Sequence, residues 1–445
     1  MLNIEDFVDV FVKEVSEVKD KLMSYFSLDA PQDIIEERMR YEFLSHWIPL
    51  EELPSIDDHK LEEYSIIAVD SSHQGSWYAH GKALHIIRAI AIDDRGQLFR
   101  QLTVEYNASQ RPRTISNIVK LLAEASEYDA CLKAVRSTDK RPIVLLDGSL
   151  YSRLAHPPVE YLADRHKHVY IETMRVFTEL VDEVRTKRGI LVGVVKDSTS
   201  EHLRLAILKN VILSFLPGLE EVAYGESIFQ LFKAVSKEMR KLGDEHVKKT
   251  LRKLLNKLRF RESDYSIIMR YSRNTGFTRP LLVGCLRSRC FKKFAFIEKE
   301  GILSFVLKTW KRHMRTLNKI DVEEFKREAG KVLLKLKSLP VLFTSYVLPR
   351  TNELPLRIDV LVPRLESKRF FSFNNVIFVN RELPSEVLLI VKKIVDDYAD
   401  LTMYNPLLFA AHRMAKITRR EFKLYEIALR NMGVNLIPKR RVWVA

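Results

Sequence analysis

Glycine is scarce in this sequence, with 14 in 445 residues. Loops that cradle phosphates with successive backbone N–H groups consume glycine, so a glycine-rich nucleotide-binding class is disfavoured. Cysteine is scarcer: Cys131, Cys285 and Cys290 are too few for a disulfide framework. Cys285 and Cys290, with four residues between them, lack a second Cys/His pair at zinc spacing and read as small core residues. No apolar run approaches the span of a membrane helix. The stretch "MLNIEDFVDVFVKEVSEV" is acidic and amphipathic, unlike a secretory signal. A cytoplasmic protein without membrane contact is expected. No low-complexity linker divides the chain, so interleaved modules are expected in place of separate beads.

What is abundant is positive charge. The formal net charge is +15, which favours a polyanionic partner, either nucleic acid or an anionic surface. The length allows two or three domains. Phe7, Val8, Val10, Phe11, Val15 and Val18 recur at helical spacing, predicting an N-terminal helical arm over residues 1–60. Beyond it, "SIIAVDSS", "KALHIIRAIAID" and "QLFRQLTVEYN" read as a three-stranded meander joined by turn residues. A long helix over "RTISNIVKLLAEASEYDACLKAVRS", the strand "PIVLLDG", a helix over about 158–187 and the buried-type strand "GILVGVVKDSTS" follow. The order β-β-β-α-β-α-β predicts an α/β fold, a mixed sheet with helices on its faces, as the core over residues 61–200. Residues 201–340 read as a basic helical insertion, and residues 341–445 return to strands and helices that complete the core.

Two strands end in a carboxylate: Asp70 in "IIAVDSS" and Asp147 in "IVLLDGSL". Either each is a turn or cap residue, or the two meet in one crevice at the strand ends. Two close carboxylates repel unless a cation lies between them, and hard divalent ions take that place with oxygen ligands. Glu124 and Glu127 share a face of the intervening helix; one of them would complete a three-carboxylate cluster, or both lie on a solvated acidic face. Lys196 closes the strand "LVGVVK", where it would meet a phosphate or merely snorkel. His412 follows Asn405 and Pro406, a plausible cap and first helical position. With Leu408, Ala411 and Ala415 it falls on one apolar face, pointing inward as a core histidine or as a ligand.

Taken in order, "IIAVDSS", "EYDACLKAV", "IVLLDGSL", "VVKDS" and "YNPLLFAAHRMAKI" resemble the successive motifs of NurA-type nucleases over about residues 60–432. The resemblance implies a ribonuclease-H-like core and an archaeal Mn²⁺-dependent nuclease (Mg²⁺ being a weaker substitute). It further implies 5′–3′ exonuclease action on single- and double-stranded DNA ends and endonuclease action on single strands. The implied partners are DNA, a second copy of the chain in a homodimer, and a HerA-type hexameric ATPase translocase in the end resection that prepares recombination. Carried across by motif, Asp70, Glu127, Asp147 and His412 would hold metal, with Glu124 in reserve for Glu127, and Lys196 would meet the phosphate. Tyr404 corresponds to an aromatic position. One departure stands out: Asp-Ser-Ser where the family motif has Asp-Gly-Ser.

The expected chemistry is phosphodiester hydrolysis with one or two ions, in two-metal sites about 4 Å apart. Trp310, Phe305 and Tyr271, near the basic helices of the insertion, are expected to stack on unpaired bases. An actin-like ATPase is a rival reading, weakened by the missing glycine loops. A non-catalytic DNA-binding subunit that retains the fold is another, weakened by the cost of keeping unused buried acids.

Overall fold

The computed structural model describes residues 5–26, 33–53, 61–108, 112–155, 166–225, 227–258, 262–363, 368–379 and 382–438. Strands β2 (Tyr64–Trp77), β3 (Lys82–Asp93) and β4 (Leu98–Ala108) form the expected antiparallel meander. The β3–β4 turn is set by Asp93, whose carboxylate accepts from the backbone N–H groups of Arg95 and Gln97, and by Gly96 at φ +81°. Strands β5 (Arg141–Asp147) and β6 (Ile190–Val195) then add parallel to β2 in the order β4-β3-β2-β5-β6. This is the ribonuclease-H-like order. β2 and β5 are Val/Ile/Leu runs because helices cover both faces of the sheet.

The sheet continues through β10 (Leu356–Leu361) and β9 (Leu342–Leu348), both antiparallel. Residues 201–340 are mostly helical but contribute β7 (Gly276–Thr278) and β8 (Leu281–Val283), both paired with β9. β1 (Trp47–Pro49) pairs with β7, and β11 (Val376–Phe378) pairs with β8. Residues near the N-terminus are thus stitched to the middle of the chain. The N-terminal periodicity forms helices α1 (Glu5–Phe26) and α2 (Ile34–Ser45).

Strand parity divides the core. Ile67, Val69, Val144, Leu146 and Leu191 pack in one cluster, beneath α3 (Pro112–Ser137) and α5 (His168–Thr186). Ile66, Ala68, Ile143, Leu145, Val192 and Val194 pack in the other, beneath α8 (Ser385–Asp396) and α9 (Pro406–Ala415). Between them in sequence lie α4 (Leu150–Leu154), α6 (His202–Phe215) and α7 (Lys319–Ser338), and α10 (Arg419–Asn431) follows. The helix expected from residue 158 is seen from His168; its first part lies outside the described residues.

The aromatic expectation for the insertion is corrected. Trp310, Tyr271 and Phe305 are all buried. Trp310 donates its indole N–H to the Lys167 carbonyl at 2.9 Å and packs edge-on against Phe305. The Tyr271 hydroxyl donates to Glu36. These large aromatics extend the core cluster that also holds Ile67, Val69 and Val144 of the sheet; they have no face left for bases.

Candidate metal centre

Side chains alternate faces along a strand, so residues 66, 68 and 70 of β2 point one way, as do 143, 145 and 147 of β5. The same count carries 192 and 194 on to Lys196, just past the end of β6. Asp70, Asp147 and Lys196 are therefore delivered to one face of the sheet, the face covered by α9. There a ligand atom from each of Asp70, Asp147 and His412 lies within 4.8 Å of the others.

Helix α9 is fixed at both ends. Asn405 caps its start, its side chain accepting from the Leu408 N–H at 3.0 Å, with Pro406 at the first position. At its end Arg88 of β3 donates to the carbonyls of Ala415 and Lys416 and pairs with Glu421 at 3.2 Å, while Ser72 Oγ accepts from the Ile417 N–H at 3.2 Å. Leu408, Ala411 and Ala415 are buried against the sheet. His412 is not buried with them: its ring is half exposed at the rim and its Nδ1 lies 2.7 Å from Asp70 Oδ2. The inward-pointing histidine expected from the apolar stripe thus sits at the stripe's edge, a side-chain direction that helical spacing alone does not resolve.

Lys196 Nζ lies 3.3 Å from Asp147 Oδ2 and 4.8 Å from the centre of the buried Tyr404 ring. Burial and the neighbouring Asp147 push the Tyr404 phenol far above its ordinary value, so it stays protonated. Burial, then repulsion from Asp147 and Glu127, push Asp70 up to about 6. A carboxylate raised by like charge is one whose ionised form lacks a sufficient counter-cation. Two carboxylates and an imidazole are a donor set suited to Mn²⁺-type ions. Beside the trio opens a cleft of about 460 Å³ lined by Lys196, Tyr404, Phe409, His412, Arg413 and Lys416.

Glu127 reaches the centre from the opposite face. Its Oε1 accepts from Ser71 Oγ at 2.5 Å and its Oε2 from Arg153 Nη1 at 2.5 Å. Ser71 has the parity of Ile67 and Val69, the α3 side, so Glu127 stands behind Asp70 and outside the 4.8 Å trio. Glu124 is also buried; burial pushes it up to about 7, and its Oε2 has no hydrogen-bond partner among the described residues. The helix face carrying both glutamates is therefore not a solvated acidic face.

Residue-by-residue reading of the sequence missed Arg153, which is buried, and Asp359. Arg153 Nη2 donates to the Asp147 carbonyl at 2.9 Å. Asp359 of β10 accepts from Ser149 Oγ at 2.8 Å and the Tyr151 N–H at 3.1 Å, clamping the turn behind Asp147. That turn needs Gly148, whose φ is +107°. Ser149 also caps α4, accepting from the Ser152 N–H at 3.1 Å. A lone arginine among Leu150, Tyr151 and Leu154 was the available signal.

Carboxylates and a histidine gathered at the strand ends of a ribonuclease-H-like sheet, beside a basic cleft, define a class: α/β proteins with a metal-type acidic centre. Within it, this chain belongs to the NurA family, because the NurA domain model matches residues 64–417. The crystal structure of the NurA nuclease from Sulfolobus solfataricus is similar over 97% of this chain and 99% of that one, at 11% identity and TM-score 0.50. A crystal structure of NurA bound to dAMP and manganese aligns over 98% of this chain and 98% of that one, at 17% identity and TM-score 0.38. No curated protein sequence matches the chain. Among the described residues, no helix is long and apolar enough to cross a membrane.

Proposed function

We propose that the protein is a metal-dependent nuclease that hydrolyses DNA, with Mn²⁺ as its preferred ion and Mg²⁺ as a weaker substitute. The observation that carries this reading is the approach of Asp70, Asp147 and His412 within 4.8 Å of one another, beside a cationic cleft that His412 helps to line. Asp70, Asp147 and His412 would hold a divalent ion, which would supply water activation and charge stabilisation at the leaving oxygen. Lys196, Arg413 and Lys416 orient the phosphodiester and attract the backbone electrostatically. Buried Asp359 and Arg153 hold the turn that aims Asp147. Glu127 supplies further negative charge to the centre from behind Asp70.

Family membership supports the finer reading: 5′–3′ exonuclease action on single- and double-stranded ends, endonuclease action on single strands, a homodimer, and work with a HerA-type hexameric translocase in end resection. The net charge of +15 supports DNA as the partner. The test is cleavage of end-labelled duplex and single-stranded DNA with Mn²⁺ by wild type and by Asp147→Ala. Cleavage lost in the variant is expected; equal cleavage by both proteins overturns the site assignment.

A further inference from the structure

Behind the metal trio, two buried glutamates share a single guanidinium. Arg153 is buried, as are Glu124 and Glu127. Its Nη1 is committed to Glu127 Oε2 at 2.5 Å, and its Nη2 to the Asp147 carbonyl at 2.9 Å. Both oxygens of Glu127 are taken, the other by Ser71. Glu124, one helical turn earlier on the same face, keeps an oxygen with no hydrogen-bond partner among the described residues, although Arg153 is close enough to interact with it electrostatically. A buried acceptor left open beside a multidentate donor is costly. It is the alternative seat for that donor.

We infer that Arg153 is a positioning residue that moves between two acceptors, holding Glu127 when no second ion is bound and turning to Glu124 to release Glu127 as a ligand when a second ion binds. Arg153 thereby occupies the place of a cation beside Glu127 until a metal arrives. The Ser71 hydroxyl follows by rotation, since a hydroxyl rotor chooses its acceptor. The first ion, on Asp70, Asp147 and His412, needs no such move. The inference rests on the proposed metal-dependent nuclease reading and assigns to Glu124 a role that the trio does not require.

The test is a crystal structure of wild type grown with excess Mn²⁺, joined to a Mn²⁺ titration followed by electron paramagnetic resonance without DNA. The expected result is two ions per chain, with Glu127 on the second ion and Arg153 within hydrogen-bond distance of Glu124 Oε2. Arg153 still on Glu127 with two ions bound overturns the inference. So does a single ion, though that leaves the nuclease reading intact; no ion at all overturns both. In solution, Glu124→Gln is expected to weaken the second ion about 10-fold or more, the usual effect of losing an outer-shell partner, and to leave the first unchanged. Equal weakening of both ions marks a general field effect and overturns it. The same Glu124→Gln change in an Arg153→Met background is expected to cost the second ion nothing, because the group through which Glu124 acts is gone. The wild-type crystal structure decides the matter even where Arg153→Met does not fold.

Discussion

Two acidic clusters stand back to back at the strand ends, one on each face of the same sheet. Asp70 and Asp147 lie next to a cleft, beside a half-exposed histidine and a partly exposed lysine that line it. Glu124 and Glu127 are sealed under α3 with the buried guanidinium of Arg153. The closed cluster carries its counter-ion in the chain because no exchangeable ion reaches it directly from solvent. In the open cluster burial, then repulsion from Asp147 and Glu127, raise Asp70 to about 6. Buried acids must be paired with something; which face they occupy decides whether that is a side chain or a metal.

The comparison is broken most severely by removing one open-face charge. Asp70→Asn is expected to lower Mn²⁺-supported cleavage about 10³-fold, the several kcal/mol a bound ion supplies, in single-turnover assays on end-labelled DNA. Retained activity would mean that the trio is not the centre. On the closed face the equivalent change acts on folding. Glu127→Gln strips Arg153 of the carboxylate it now pairs with and leaves it Glu124 to turn to, and the loss is expected at about 1–3 kcal/mol in metal-free urea unfolding. A midpoint unchanged from wild type would show that the guanidinium finds Glu124 without loss. That outcome would also show that the two acceptors are interchangeable.

Lys196→Ala is smaller. It removes one cation from the rim, and the expected loss is about 100-fold in the cleavage rate, with Mn²⁺ affinity held or slightly improved because a positive neighbour of Asp147 is gone. A loss of ion affinity instead of rate would place Lys196 in the scaffold and not against the phosphate.

Much of the open face was legible in the sequence, because strand parity is a period of two and survives without knowledge of the fold. Counting from Ile66 to Asp70, from Ile143 to Asp147 and from Val192 to Lys196 puts all three on one face. The cap at Asn405 and Pro406 likewise predicted where α9 starts. The closed face was not legible in the same way. Arg153 pairs with Glu127 from 26 positions away in sequence, and Asp359 reaches Ser149 from more than 200 residues away. Neither has a local pattern. Trp310 misled for a related reason: its basic sequence neighbours describe the surface of its helices, whereas its ring serves a core assembled from distant segments. Side-chain direction at the margin of a stripe, as at His412, is set by what stands opposite, here Asp70.

The finest distinction between the two clusters is their response to pH in metal-free protein. Asp70 binds its proton with a value near 6 in the folded chain against 3.8 ordinarily. Between those values the native state keeps a proton that the unfolded chain has lost, so stability contributed at Asp70 falls as pH rises through that window. Asp70→Asn removes the titration and is expected to be the more stable protein above pH 6, by about 1 kcal/mol, with thermal midpoints in EDTA converging as pH falls toward 4. Curves that run parallel from pH 4 to 7 would show that His412 and Lys196 already neutralise the open face. A divalent ion reverses the picture by displacing that proton. Mn²⁺ affinity in wild type should therefore weaken as pH drops below about 6.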